Sequence, residues 1–520
     1  MAAEGVIQVH RLITQRFPDN ISLSSGIINL KLLNISMTNI HDLKTSETIL
    51  DTEHMAEAYG EFKKNYPGYV STNHIDELRA IDYSRLDKLR QIYLDYTGGG
   101  IYADSQLEKL MQLLKNGTFG NPHSSNPTSL ASLRLDEHAR KYVLEYFNAS
   151  SDEYVVIFTH NASGALKLVG ESYPFGLESR YLLTFDNHNA ANGIREFARS
   201  KGASVTYVPI TAPELRIDNG QLLEQLGKPN VQGSNLFVFP AQSNFSGVQH
   251  SLEWITQAQA LGWDVLLDAA AFVPTNSLDL SVIHPEFIPI SFYKMFGFPT
   301  GVGCLISKKS ALRKLRRPWF SGGTIEVASV QGDTYNLSEG ERAFEDGTIN
   351  YLLLPAIEIG LKHLESIGIL SIHKRVTALT DYLLRNLSFL KHSNGKPVVE
   401  IYGPHDTISR GGTIALNFHD PHGTIFNFHF IEEAASRFNI SLRTGCFCNP
   451  GAGEIAFGLT KNDMTECFTH EERASFEQCI IAVKGKTAGA VRLSLGLVSN
   501  FPDVYRFLLF VKTLIDTTIS

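Results

Sequence analysis

The sequence has few cysteines, no long apolar run and no excess of positive charge. Its 520 residues include only five cysteines, too few and too unevenly spaced for a disulfide framework, and no second cysteine or histidine pair completes a zinc site. No stretch approaches the roughly 18 consecutive apolar residues of a transmembrane helix. The formal net charge of −8 provides no overall attraction for nucleic acid or an anionic membrane. The sequence therefore predicts a protein without a metal site, a membrane span or a nucleic-acid partner.

The overall composition is that of a globular protein inside the cell. Hydrophobic residues make up 43% and charged residues 19% of the chain, which excludes a mostly disordered protein. The N-terminus lacks the apolar segment of a secretory signal, although His10, Arg11 and Arg16 among apolar residues leave a mitochondrial presequence as the less favoured alternative. We expect a reducing, cytoplasmic location.

Seven short β-rich runs follow one another from about residue 154 onward, several of them separated by segments of helical length. They predict an α/β fold built on a large, mainly parallel, seven-stranded sheet covered by helices. The last two runs are too close for a helical crossover, so we expect them to pair antiparallel. The runs are YVVIF (154–158), YLLTF (181–185), VTYVP (205–209), LFVF (236–239), DVLLD (264–268), IPISF (288–292) and VGCLI (302–306).

The pattern of predicted helices and strands changes twice along the chain, which predicts three regions. Residues 1–85 form an N-terminal extension with mixed signals, and residues 86–374 hold the large sheet. Beyond about residue 355, long helical segments precede a new set of strands, so residues 375–520 are predicted to form a smaller α+β domain.

Polar residues follow several of the predicted strands, at the sheet edge where open α/β sheets bind ligands. The backbone N–H groups of Ala162 and Ser163 begin a helix and could hold a phosphate, although Asn161 or Ser163 could equally serve only as a helix cap. His188 follows the second run and Asn244 the fourth. Taken alone, each of these two is an ordinary loop residue.

An aspartate, a lysine and a pair of loop cysteines carry stronger chemical signals. Asp268 ends an apolar strand, so its buried carboxylate needs an arginine, a helix N-terminus or a protonated heterocyclic nitrogen as a partner. Lys294 lies among aromatic residues, where desolvation favours the neutral amine and Schiff-base chemistry, although a snorkelling lysine is the alternative. Cys446 and Cys448 share a loop with Arg443 upstream, and an exposed cysteine beside an arginine can be a low-pKa nucleophile. The residues alone do not separate the two thiols.

With these residues in place, the sequence resembles the fold-type I pyridoxal-phosphate enzymes of the class V aminotransferase group, which includes the cysteine desulfurases. Within that group it is most similar to the N-terminal domain of the molybdenum cofactor sulfurases. The resemblance covers about residues 75–520. Its motifs are YLDYTGGGIYA (93–103), GNPHSSNPTS (120–129), FTHNASGALKLVGE (158–171), LDAAAFVPTNSLDLS (267–281), SFYKMFGFPTGVG (291–303), SGGT (321–324), FEDGTIN (344–350), RTGCFCNPGA (443–452) and VRLSLG (491–496).

The resemblance implies a pyridoxal 5'-phosphate site. Lys294 would form the Schiff base with the cofactor, and Asp268 would keep the pyridinium nitrogen protonated so that the ring acts as an electron sink. His188 would stack on the ring, and Asn244 would hydrogen-bond its phenolic oxygen. The residues implied around the phosphate are Ala162, Ser163, Ser291 and Tyr293, joined by Thr324 from the partner subunit of a homodimer.

The resemblance also implies the substrate-binding and sulfur-transfer residues. Arg443 would bind the substrate carboxylate. Cys448 would attack sulfur, because it fits the R-x-G-x-x-C spacing of related desulfurases, and Cys446 is the minor candidate. Two positions depart from many relatives: Ala271 stands where a glutamine is common, and Tyr293 where a histidine is common.

The function that the resemblance implies is a cysteine desulfurase. It would convert L-cysteine to L-alanine and leave a persulfide on Cys448, which would pass to molybdenum cofactor or a sulfur-acceptor protein. Full-length molybdenum cofactor sulfurases carry a further C-terminal domain, so we expect this chain to be a stand-alone catalytic part or to serve a different acceptor. The alternatives are another C–S lyase, amino-acid lyase or aminotransferase of the same fold, and a catalytically silent sulfur-delivery partner.

Overall fold

The computed structural model describes residues 52–467, 477–481 and 487–519. The presequence-like N-terminus lies outside the described residues. The strands, numbered in chain order, are β1 Ile92–Tyr93, β2 Tyr154–Thr159, β3 Arg180–Thr184, β4 Ser204–Val208, β5 Ile210–Thr211, β6 Arg216–Ile217, β7 Asn235–Pro240, β8 Asp264–Asp268, β9 Phe287–Ser291, β10 Gly303–Lys308, β11 Ile325–Ser329, β12 Thr334–Leu337, β13 Val399–Tyr402, β14 Thr413–Phe418, β15 Ile440–Ser441, β16 Arg443–Gly445 and β17 Ala490–Ser494.

The helices cover both sheets and include a 3₁₀ turn at Gly340–Phe344. Their bounds are Thr52–Asn65, Pro67–Val70, His74–Asp82, Ser84–Lys88, Asp104–Asn116, Pro127–Tyr146, Ala162–Ser172, Asn189–Asn192, Ile194–Ser200, Asn219–Leu226, Glu253–Ala260, Phe292–Phe296, Lys309–Leu312, Pro355–Ile367, Ile369–Phe389, Phe428–Arg437, Pro450–Ala456, Lys461–Cys467 and Phe501–Lys512.

The large sheet confirms the predicted α/β fold. Its seven strands lie in the order β2-β10-β9-β8-β7-β3-β4, and β10 is the one strand that runs antiparallel to its neighbours. The antiparallel pairing of β9 with β10 confirms the expectation drawn from their short connection, which holds the helix Phe292–Phe296. The strands β3, β7, β8 and β9 are almost entirely buried, as expected for parallel strands covered on both faces.

A second, antiparallel sheet has the order β13-β14-β17-β16 and contains the predicted C-terminal strand set. The segment 440–445 is divided between two sheets: β15 pairs in parallel with β1, whereas β16 joins the second sheet. This division brings residues after β1 beside the second sheet. The domain boundaries expected near residues 85 and 374 stay predictions.

The N-terminal helices are bonded to helices near the C-terminus. Arg79 donates to Asp503 Oδ2 at 2.5 Å and to the Val498 carbonyl at 2.8 Å, and both ion-pair side chains are 3% exposed. Arg375, fully buried, donates to the Thr72 carbonyl at 3.2 Å and also pairs with Asp76. Buried ion pairs of this kind fix the relative positions of segments that are far apart in sequence.

The described part of the chain contains a disulfide. Cys467 and Cys479 form it, with Cα atoms 5.7 Å apart, and the spacing of the cysteines did not predict it. Cys304, Cys446 and Cys448 lie outside any disulfide. Among the described helices, none combines the length and the apolar character needed to cross a bilayer.

We predict that Arg79→Ala lowers the free energy of unfolding by about 3–5 kcal/mol, because it leaves the buried Asp503 carboxylate without its cation. Urea unfolding followed by circular dichroism measures this loss. The control is Lys88→Ala in the neighbouring helix, where the exposed side chain contributes less than about 0.5 kcal/mol. Equal effects of the two substitutions would show that the buried pair does not hold these helices together.

Candidate active site

The predicted site residues meet at one edge of the large sheet because its parallel strands end there. Asp268 is the last residue of β8, and His188 and Asn244 lie four residues beyond the ends of β3 and β7. Lys294 follows β9 inside the helix Phe292–Phe296, and the helix Ala162–Ser172 begins just after β2. The strand order places β8 between β9 and β7, so Asp268 lies at the centre of this edge.

The same neighbouring charges shift the pKa values of Lys294 and His188, so the two residues belong to one electrostatic cluster. Burial lowers the pKa of the Lys294 ammonium below its ordinary value, and Arg492 and Arg443 act in the same direction, against Asp268. Burial also lowers the pKa of His188, with Lys294 and Arg492 adding to the effect and Asp268 opposing it. The cluster therefore favours a neutral amine and a neutral imidazole.

The tautomer of His188 follows from its hydrogen bond. The Ala190 N–H donates to His188 Nδ1 at 3.0 Å, so the proton of the neutral ring lies on Nε2. This bond also caps the short helix Asn189–Asn192 and fixes the direction of the ring. The neutral His188 imidazole can therefore stack on a flat heterocycle without placing an additional charge beside it.

Two site residues, Asp95 and Arg492, were missed by the sequence analysis. Asp95, 8% exposed, accepts from Arg443 Nη2 at 2.7 Å and from Arg492 Nη2 at 2.9 Å. Arg492 is 3% exposed, and its charge acts on both Lys294 and His188. Both residues lie within the motifs that carry the resemblance, YLDYTGGGIYA and VRLSLG. The sequence signal that could have identified these two residues is a charged side chain within a motif of mainly small or apolar residues.

Arg443 is half exposed. Its Nε donates to the two Asp95 carboxylate oxygens at 3.0 and 3.1 Å, in addition to the bond from Nη2. Hydrogen bonds to Asp95 raise the pKa of Arg443 further. Gly98 makes this close approach possible, since a Cβ there would lie 2.6 Å from Arg443 Nη2. An exposed guanidinium beside the sheet edge is suited to binding a carboxylate.

The residues expected around a phosphate lie together at a helix N-terminus. The Ala162 N–H donates to Ser291 Oγ at 2.8 Å, which joins the start of the helix Ala162–Ser172 to the end of β9. Ser163 is exposed at the first turn, and Asn161 caps the helix by accepting from Gly164 N at 3.0 Å. The Ala162 and Gly164 N–H groups are thus bonded within the chain, so among the described hydrogen bonds the Ser163 N–H and hydroxyl are the groups left at this helix end for an anion.

The donor and acceptor set fits pyridoxal phosphate. The helix end and the Ser291 hydroxyl suit a phosphate, and the Lys294 amine suits an aldehyde. Asp268 is 7% exposed, and among the described hydrogen bonds it accepts only from Ala270 N, through Oδ1. Its other oxygen is available to a protonated ring nitrogen. Tyr293, whose pKa burial raises, lies beside Ser291 as a neutral hydroxyl.

The two loop cysteines differ in their surroundings. Cys448 is exposed, and its thiolate is among the charges that raise the pKa of Lys294, Arg443 and Arg492. Cys446 is less exposed. These surroundings favour Cys448 as the thiol that reaches the site.

Asn244 and Thr324 make contacts that the resemblance did not imply. Asn244 Nδ2 donates to the Phe447 carbonyl at 2.7 Å, so its side chain contacts the cysteine loop. The Thr324 hydroxyl bonds with the backbone of Ser321, donating to its carbonyl at 2.8 Å and accepting from its N–H at 2.9 Å. Within this chain Thr324 is therefore bound to its own loop, and a contact with a partner's phosphate stays a prediction.

The chain is similar in sequence to molybdenum cofactor sulfurases. The chain is 37% identical to the molybdenum cofactor sulfurase of Solanum lycopersicum, over 86% of this chain and 58% of that protein. It is also 37% identical to the molybdenum cofactor sulfurase of Homo sapiens, over 85% of this chain and 51% of that protein. The chain thus spans only a little over half the length of these relatives.

Solved structures share the fold. A cysteine desulfurase from Thermococcus onnurineus NA1 superposes with a TM-score of 0.68 at 23% identity, covering 83% of this chain and 96% of that one. A cysteine desulfurase from Escherichia coli gives a TM-score of 0.64 at 20% identity, covering 84% and 97%. The sequence model described as Aminotransferase class-V matches residues 92–507. Because this match includes both sheets and every residue of the cluster around Lys294, the chain belongs to the class V aminotransferase family.

Proposed function

We propose that the chain is a pyridoxal-phosphate-dependent cysteine desulfurase that converts L-cysteine to L-alanine. The observation that carries the proposal is the convergence of four groups at one sheet edge: the Lys294 amine, the Asp268 carboxylate, the His188 imidazole and the Cys448 thiol. A lysine–aspartate pair supports many reactions of this cofactor, whereas an exposed thiol next to it supports sulfur transfer in particular.

The cofactor, when bound, supplies an electron sink for the bond-breaking steps at the substrate. Lys294 would bind it covalently and then, released by the substrate amine, would move the proton at Cα. Asp268 would hold the proton on the ring nitrogen, and neutral His188 would cover one face of the ring. Ala162, Ser163, Ser291 and Tyr293 would hold its phosphate, and the second N–H of Asn244 would reach its phenolic oxygen.

Sulfur would leave the substrate by transfer to Cys448. Arg443 would bind the substrate carboxylate, with the buried Arg492 adding positive charge behind it. The Cys448 thiolate would then attack the substrate sulfur, forming an S–S bond as the C–S bond breaks, and alanine would leave. The persulfide would pass to molybdenum cofactor or to a sulfur-acceptor protein. The names of the 37% identical relatives support the first acceptor.

We also propose that the enzyme is a homodimer. The hairpin of β11 and β12 pairs with no other strand of the described sheets and exposes large apolar side chains. Val330 is fully exposed, Val327 is 56% exposed and Trp319, just before the hairpin, is 50% exposed. Apolar groups clustered in this way mark an interaction surface. Thr324, directly before this hairpin, is buried in its own loop, so the proposed dimer rests on the exposed apolar side chains and not on Thr324. The cytoplasmic location stays a prediction from the sequence.

The central test is alanine production from L-cysteine by the cofactor-loaded protein. We expect Cys448→Ser to reduce kcat by about 1,000-fold or more, because the nucleophile is lost. Cys446→Ser is the matched control on the same loop and should retain activity. Loss in the Cys446 variant alone would reassign the nucleophile. Full turnover in both variants would indicate a lyase, and no turnover by the wild type would contradict the proposed substrate.

The rate of cofactor loading should depend on pH through Lys294. Only the neutral amine attacks the aldehyde, and the lowered pKa of Lys294 means that this form appears at lower pH than for an ordinary lysine. We expect the midpoint of the rate to lie below that of Nα-acetyllysine in the same buffers, measured by visible absorbance. Arg492→Gln removes a cation and should move the midpoint to higher pH. A midpoint at or above that of the free amine would contradict the buried site.

The hairpin should control the oligomeric state. Val327→Asp combined with Val330→Asp places two charges on the proposed interface and should convert a dimer to a monomer, as measured by light scattering. Val231→Asp is the matched control, since Val231 is 96% exposed on a different loop. A wild-type monomer, or a double variant that remains dimeric, would exclude this surface as the dimer interface.

A further inference from the structure

The loop that carries Cys448 has an unusual backbone. Phe447 and Cys448 both have φ values of 57°, so two consecutive residues with side chains lie in the left-handed region. They follow Gly445, whose φ is 104°. Residues other than glycine rarely adopt this conformation, and it persists only where surrounding contacts enforce it. The contacts around this loop should therefore show what holds the thiol in place.

Asn449, the residue after Cys448, supplies several of these contacts. It is fully buried, and its Nδ2 donates to the Asp186 carbonyl at 2.7 Å and to Asn244 Oδ1 at 2.9 Å. Its Oδ1 accepts from Ala452 N at 3.2 Å and caps the helix Pro450–Ala456. One carboxamide therefore both begins the following helix and binds the segments that carry Asn244 and His188.

Both peptide carbonyls around the thiol are also bonded. The Phe447 carbonyl accepts from Asn244 Nδ2, and the Cys448 carbonyl accepts from Asn189 N, each at 2.7 Å. Asn189 adjoins His188. The backbone on each side of Cys448 is thus tied to the sheet edge where Lys294 and Asp268 lie.

We propose that Asn449 and Asn244 form a clasp that keeps Cys448 at the reacting site, and that Asn449 is a positioning residue for the nucleophile. This inference rests on the proposed function. The clasp needs carboxamides, because each member donates and accepts at once: an aspartate at 449 would keep the helix cap but lose both donors. Without the clasp, the left-handed turn loses its support and the thiol is no longer held at the sheet edge.

The test combines thiol labelling with steady-state kinetics on the cofactor-loaded enzyme. Labelling of Cys448 by a bulky maleimide, located by peptide mass spectrometry, should become about tenfold faster in Asn449→Asp and Asn449→Ala, the effect of losing buried hydrogen bonds. Alanine production should show kcat reduced about tenfold with KM unchanged, since Asn449 orients the thiol and does not bind substrate. The visible absorbance should match the wild type, and Tm should fall but stay above the assay temperature, so that the variants remain folded.

A matched control separates the clasp from helix capping. Asn427 caps the helix Phe428–Arg437 through Oδ1, which accepts from His429 N at 2.8 Å, so Asn427→Ala removes a cap without touching the cysteine loop. This control variant should leave both the labelling rate of Cys448 and the kcat of alanine production unchanged. If Asn449→Asp behaves like the wild type while Asn449→Ala does not, the effect belongs to the cap and the clasp is overturned. Unchanged labelling in both variants also overturns it.

The two proposals fail in different ways. If the wild type makes no alanine, the proposed function is wrong, but the labelling rates still report whether Asn449 holds the thiol. If the wild type makes alanine and the Asn449 variants match it in kcat and in labelling, the function stands and the clasp is wrong. A change in KM with kcat unchanged would place Asn449 in substrate binding and contradict a positioning role.

Discussion

The site depends on the pairing of the buried Asp95 carboxylate with two arginines. Asp95 binds Arg443 and Arg492, and the charges of both guanidiniums act on Lys294. Without it, the Arg443 and Arg492 guanidiniums would lie at the sheet edge against the single carboxylate of Asp268, and like charges in a poorly solvated place are costly. With it, two carboxylates offset the two guanidiniums, and the half-exposed Arg443 still offers donors to an anionic ligand.

The same surroundings lower the pKa values of both bases of the site, Lys294 and His188. Asp268 and the Cys448 thiolate raise the pKa of Lys294, yet burial and the two arginines outweigh them. Only a neutral lysine attacks an aldehyde, so the lowered pKa makes that form accessible at a lower pH than for an ordinary lysine. The fold therefore shifts both bases toward their neutral forms before any ligand binds, and fixed charges that need no rearrangement are the most effective kind in catalysis.

The sequence predicted those features that depend on local pattern. The seven buried runs were visible because each is short, apolar and bounded by turns, and the antiparallel β10 followed from the short connection after Lys294. Asp95 and Arg492 could not be found in this way, because their bond joins residues 397 positions apart. The disulfide of Cys467 with Cys479 was missed for another reason, since cysteine spacing alone does not determine pairing.

Buried hydrogen bonds hold the cysteine loop, including those from Asn449 and Asn244. Its glycines and proline are residues that sequence pattern associates with loops, and these bonds join residues far apart in sequence, so the pattern could not predict them. Each such bond contributes about 0.5–1.5 kcal/mol net, while each of the two left-handed residues, Phe447 and Cys448, costs about 1–2 kcal/mol. These opposing terms nearly cancel, so the held and released loops differ by only a few kcal/mol. In the proposed reaction, a thiol that first attacks sulfur inside the site and then delivers it outside needs both positions within reach, and a strained loop held by a few carboxamide bonds would provide that.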